Sequence, residues 1–253
     1  MRPVLLFLIV LMVFGVPAIR AQDSATLGVE AFLSRYAAVV SGIADYQCRI
    51  ADWSMLDGEE ESRIANFYFQ RPRLMRMDII IGTRFGDNGS RAVYLPSGRV
   101  EANMRRIPFP RVLDSDHSLV TTIRGRSLLD TDLIGIQRVL ETYMATGSVT
   151  LRSDDRSTFF EVEHGDTADS GGLDREVIRF DARSLLPMSA DGFKSGALVQ
   201  HFVFSDYVLN VGLPTELFNV RYDSERLVGE GIPTVVSIAV RDVDLEESRF
   251  PAD

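Results

Sequence analysis

Catalysis needs side chains that attack, exchange protons or hold a metal, and in this 253-residue sequence such side chains are scattered. The three histidines, His117, His164 and His201, stand about forty residues apart and show no HExxH or related spacing. There is no GxSxG elbow, no phosphate loop and no GxGxxG turn. The single cysteine, Cys48, has no recognisable partner and reads as a small buried apolar residue. Among the carboxylates, the runs Glu59-Glu60-Glu61 and Glu246-Glu247 read as solvated surface. Asp114-Ser115-Asp116-His117 could offer oxygens to a hard cation, but it lacks the spaced acidic residues of a calcium loop and reads as a polar loop. A glycosidase needs only two carboxylates placed by the fold, and nothing in the sequence selects such a pair. The expectation is a protein without catalytic residues, bound metal or cofactor.

Binding is better represented than catalysis. The stretch FYFQRPRLMRMDIII at residues 67–81 alternates like a strand on both sides of Arg71-Pro72. Proline cannot donate a ladder hydrogen bond, so it marks a sheet edge, a strand start or a bulge. Before it, Ala65, Phe67 and Phe69 share a face; after it, Met75, Met77, Ile79 and Ile81 share one, with Arg76 and Asp78 opposite. A face of Phe, Met and Ile can be a core or the wall of a cavity, and the two share one pattern. Flexible methionines suit a cavity that takes chains of varied shape.

The elements that would position this face follow an exported layout. Residues 1–21 carry a basic start at Arg2, an apolar run over residues 4–16, Pro17 and a small residue at Ala21, which is the pattern of a cleaved signal peptide. The run of 13 residues is short for a membrane span, which needs ~20. The mature chain, residues 22–253, is expected to be soluble, periplasmic and a single domain with a sizeable core. One cysteine excludes an internal disulfide framework. Without Arg2 and Arg20 the 27 basic residues become 25 against 36 acidic, a balance of −11 that disfavours nucleic acid and anionic membrane as partners.

An amphipathic helix is expected over residues 26–41, from the spacing of Leu27, Phe32, Leu33, Tyr36, Val39 and Val40. A strand over 46–55 ends at Asp57-Gly58, a strong hairpin signal before the returning run 62–70. Strands are expected over 74–81 and 91–95, then an irregular segment over 105–125. A second helix is expected over 130–145, with Asp130 or Thr131 as N-cap. Strand patterns resume over 149–152, 158–164, 177–181, 188–193, 198–207 and 234–245, with Gly171-Gly172 and Asp191-Gly192 as turn or loop markers.

The order of these elements resembles that of the periplasmic lipoprotein-carrier, or LolA-like, superfamily. The resemblance rests on the Asp-Gly hairpin leading into Arg71-Pro72, then Ala92-Val93-Tyr94-Leu95-Pro96. It continues with Ile178-Arg179-Phe180-Asp181 before Leu186-Pro187, and with Phe204-Ser205-Asp206-Tyr207 before Leu209-Asn210 and Leu213-Pro214. Tyr46-Gln47-Cys48 is similar to an uncharacterised branch of that superfamily. The resemblance implies an α+β fold: an unclosed antiparallel β half-barrel with helices covering its concave face and a cavity for acyl chains. It also implies that Arg71 engages a helical lid, where a guanidinium can bond the carbonyls at a helix end. Read alone, Arg71 is also what a surface residue beside an edge proline looks like. Residues 219–253 extend beyond the resemblance.

Together these readings give a non-enzymatic envelope protein that carries or senses the acyl chain of a lipid or lipoprotein. Its expected ligand-binding residues are Phe67, Phe69, Met75, Met77, Ile79 and Ile81, with Arg71 as gate. The alternative is a regulatory or scaffold module that uses the same fold to bind an envelope protein partner.

Overall fold

The computed structural model of the protein describes residues 21–84, 86–105, 107–164 and 172–234. The expected signal segment and the expected strand over 234–245 lie outside these residues except for Ala21 and Thr234. The chain opens with helix α1 (Ala21–Ser41). A meander of six strands follows: β1 (Asp45–Leu56), β2 (Glu59–Gln70), β3 (Leu74–Gly82), β4 (Arg91–Tyr94), β5 (Arg99–Asn103) and β6 (Arg111–Asp114). Helix α2 (Leu133–Thr146) leads into a second meander. Its strands are β7 (Ser148–Ser153), β8 (Ser157–Glu163), β9 (Arg175–Asp181), β10 (Pro187–Lys194) and β11 (Ala197–Leu209).

All eleven strands form one antiparallel sheet in the order β6-β5-β4-β3-β2-β1-β11-β10-β9-β8-β7. The first and last strands pair in the middle, so the meanders spread to either side of them. Among the described residues the sheet does not close on itself, and β6 and β7 are its two edges. Local sequence explains the tight hairpins. Asp57 and Gly58 take φ of 52° and 84°, and Ser195 and Gly196 take 51° and 79°, the left-handed pair that matches the strand twist. Asp191-Gly192, expected as a turn, instead lies within β10. A Cβ at Gly192 would come 2.8 Å from Leu173, so this glycine serves close packing.

The concave face holds the main core. Its strand residues, in step with one another, are Tyr46, Cys48 and Ile50 of β1, Phe67 and Phe69 of β2, Phe160 of β8, Ile178 and Phe180 of β9, and Phe202 and Phe204 of β11. Both helices lie on it. Phe32 and Tyr36 of α1 meet Phe180 edge-on at 5.0 and 5.4 Å between centroids. Leu133, Ile136 and Leu140 of α2 join the same cluster. Helix α2 starts three residues later than its sequence suggests: Leu128–Asp130 form a 3-10 turn, and Asp132 is the N-cap, accepting from the amides of Ile134 and Gly135. The segment expected to be irregular contains β6, and β5 precedes it.

The convex face is covered too, which the alternation alone does not show. Residues 211–232, including a 3-10 turn at Thr215–Phe218 and a short helix α3 at Arg226–Gly229, lie over Tyr68 and Val93. Beneath them Arg76 is fully buried. It forms a bidentate pair with Asp78, 2.6 and 2.9 Å, and donates to the carbonyls of Leu217, Asn219 and Tyr222. Ser224 Oγ completes the clasp by donating to Asp78 at 2.7 Å.

Candidate ligand-binding site

Helices cover one part of the concave face, packing on residues of both meanders, whereas a loop covers another part. Residues 115–131, between β6 and α2, lie over β1 to β5 and enclose a cavity of about 60 Å³. Its apolar wall includes Ile50, Met77, Ile79, Val100, Met104 and Phe202, while Leu119, Val120 and Thr122 of the loop form its roof. A second void of about 20 Å³ lies beside it, also against Arg126, Thr131 and Phe202, and reaches Ile136 and Val139 of α2. Each is smaller than the ~150 Å³ that admits a benzene ring, so a long chain enters only if the roof moves.

The expected wall residues divide three ways. Met77 and Ile79 line the cavity. Phe67, Phe69 and Met75 are closed into the main core, with Tyr46 packed on both phenylalanine rings. Ile81 leaves the face altogether. The register shifts between Ala65↔Ile79 and Ile64↔Ile81, so one extra residue in β3 places Ile81 opposite Ile64, on the face away from Ala65 and Phe67.

Arg71 sits at the end of α1: Nε donates to the carbonyl of Ile43 at 2.7 Å and Nη2 to that of Val40 at 2.6 Å. Its neighbour Arg73 holds the start of α2, donating to Asp132 at 2.9 Å and to the carbonyl of Leu129 at 3.0 Å. One hairpin between β2 and β3 therefore pins both helices. Tyr36 and Tyr46 tie them further, their hydroxyls engaging the carbonyl and amide of Leu133.

One side of the cavity is ionic. Asp52, Arg63, Arg84 and Asp87 line it, and Glu61 lies behind Arg63. The run Glu59-Glu60-Glu61 is thus not wholly solvated surface: Glu61 is 1% exposed and accepts from Arg63 at 2.9 Å and from the amide of Ile123 at 2.7 Å. The strand period carried the signal. Glu61 and Arg63 are in step with Ala65 and Phe67, and their partners Ser54 and Asp52 are in step with Ile50 and Cys48. Burial pushes the Asp52 carboxyl up to about 6, with Glu61 and Asp87 adding to it and Arg63 opposing. Burial raises Asp87 as well, against Arg63 and Arg84.

The same cluster holds the roof: Arg84 donates to the carbonyls of Thr121 and Ser118 at 2.9 and 2.8 Å. Farther along the roof, Arg126 pairs with Glu176 of β9, which also accepts from the Tyr143 hydroxyl at 2.5 Å. The histidines do not converge. His117 lies in the roof, His164 lies near Glu176 with its pKa lowered by burial, and His201 pairs with Asp191. Cys48 is buried in the main core, and burial pushes its thiol well up. Among the described residues no group of three His, Cys, Asp or Glu side chains is placed to hold a metal ion. Nor is any described helix long and apolar enough to cross a membrane.

The geometry defines a class: an open antiparallel half-barrel whose concave face is covered by helices and a loop. The chain matches no protein-family model and no curated protein. Its likeness is to solved structures. An uncharacterized conserved protein from Thermus thermophilus is 10% identical, with 78% of this chain and 96% of that one covered at a TM-score of 0.50. A LolA superfamily protein from Nitrosomonas europaea is 13% identical, with 75% and 96% covered at 0.37. The Mycobacterium tuberculosis lipoprotein LppX is 10% identical, with 74% and 98% covered at 0.45. At these identities the likeness is one of fold alone.

Proposed function

We propose that this protein is an exported envelope protein that holds the acyl chain of a lipid or lipoprotein under the roof of its half-barrel, as a carrier or sensor. The observation that carries this reading is the division of the concave face. The part beneath the helices is filled by aromatic side chains, while the part beneath residues 115–131 keeps an apolar wall and an unfilled cavity. Chain binding would be mainly apolar burial, ~0.8 kcal/mol for each methylene group. Ten buried methylenes supply roughly 8 kcal/mol before the roof is displaced and the chain ordered. In this reading Arg71, whose two bonds fix the end of α1, serves as a gate.

The test is titration of the mature protein with a neutral fluorescent acylglycerol, alongside Met77→Glu and Ile79→Glu. Saturable uptake by the parent, lost in both variants while their circular dichroism is unchanged, is the expected result. No uptake by the parent, or undiminished uptake by both variants, would overturn the reading. Mass spectrometry of organic extracts from protein purified without detergent then names the cargo class.

A further inference from the structure

The ionic side of the cavity is unbalanced in both charge and hydrogen bonding. Three carboxylates, Asp52, Glu61 and Asp87, face two guanidiniums, Arg63 and Arg84. Three buried carboxylate oxygens accept no hydrogen bond: Asp52 Oδ1, Glu61 Oε2 and Asp87 Oδ2. The one buried side-chain donor of these residues without a hydrogen bond is Arg63 Nε. Asp52 Oδ1 lies 3.5 Å from that nitrogen, and Glu61 Oε2 lies 3.3 Å from Arg84 Nη1, close enough for attraction but without hydrogen-bond geometry. Asp52 is 7% exposed and lines the cavity. Gly82 makes room for the third carboxylate, since a Cβ there would come 2.5 Å from Asp87 Oδ2. A buried carboxylate without its full set of donors is costly.

Resting on the acyl-chain reading above, we infer that this side of the cavity receives the head of the ligand, and that the head is a primary ammonium group. The inventory selects that chemistry. An ammonium brings three donors and no acceptor, so it can meet Asp52 Oδ1 and Asp87 Oδ2, the unpartnered acceptors on residues that line the cavity, while adding the missing positive charge. A carboxylate or phosphate brings acceptors only and would face Asp52 and Asp87. A hydroxyl brings a single donor. A bare metal ion is poorly served where two guanidiniums stand among the carboxylates. Arg63 and Arg84 also bond the roof at Thr121, so the head group meets the residues that hold the cavity shut.

The experiment is isothermal titration calorimetry of the mature protein at pH 7.5 with decylammonium, decanoate and decan-1-ol, each below micelle formation. Decylammonium should bind about tenfold or more tighter than decanoate. In Asp52→Asn and in Asp87→Asn that preference, read as the ratio of decylammonium to decanoate affinity within each variant, should shrink several-fold. Binding of decan-1-ol with no preference for the ammonium, or a preference that survives in both variants, overturns the head-group assignment and leaves the acyl-chain reading standing. Failure of all three probes to bind overturns both.

Discussion

Asp52 carries the sharpest consequence of burial at the scale of single residues. Its carboxyl is pushed up to about 6 from an ordinary 3.8, chiefly by burial. Between those two values the folded protein binds a proton that the unfolded chain does not, so this group's contribution to stability falls as pH rises through that window. Asn mimics the protonated form. Asp52→Asn should match the parent in unfolding free energy from urea titration near pH 4 and exceed it above pH 6 by on the order of 1–3 kcal/mol. A difference that does not grow with pH would mean that Arg63 already compensates the charge. Neither Asp52 nor Glu61 stands out by composition, because acidic residues are plentiful. Both stand out once read in step with Ile50 and Ala65, where an inward-facing charge on an apolar strand face is unusual.

Hairpins and clasps govern the elements. The β2–β3 hairpin sends Arg71 to the end of α1 and Arg73 to the start of α2, so one turn sets both helices. Arg71→Ala should raise hydrogen exchange over the last turn of α1, cost about 1–2 kcal/mol and speed uptake of the acyl probe. Unchanged exchange there would remove the gate. On the convex face, Arg76→Leu leaves Asp78 buried without its partner, which costs about 3–5 kcal/mol. Hydrogen exchange should rise over residues 215–232 well before it rises in β1. Arg71 could be matched from the sequence because an arginine before proline at a strand end is a local pattern. Arg73 could not, since its partners Leu129 and Asp132 are distant in sequence. The face of Arg76 and Asp78 was also legible, but not the segment that buries it. The bulge in β3 is silent in the alternation, and Ile81 therefore reads on the wrong face. Strand β6 offers only four residues at a sheet edge, too few for its period to register.

At the scale of the whole molecule, one core joins α1, α2 and strands from both meanders, so the helices and the sheet should unfold together. The meandering antiparallel sheet interrupted by two or three helices was readable from turns and alternation. The pairing of β1 with β11, which brings the meanders side by side, has no local signature. That pairing makes the cavity a property of the entire half-barrel, since Phe202 of β11 and Met77 of β3 line it together. A ligand seated there binds only the folded state and must stabilise all of it. At a free concentration 100 times its Kd the gain is about 2.7 kcal/mol. For a domain of this size each kcal/mol moves Tm by about 2–4 °C, so decan-1-ol at that level should raise Tm by about 5–10 °C. Met77→Glu should abolish the shift, because a carboxylate in the apolar wall opposes the chain without touching the helices. Arg71→Ala should keep most of it, because on the proposed reading a gate at Arg71 changes the rate of entry more than the filled state. A rise in the parent that persists in Met77→Glu would place the alcohol elsewhere on the molecule, and the cavity would lose its claim to the chain.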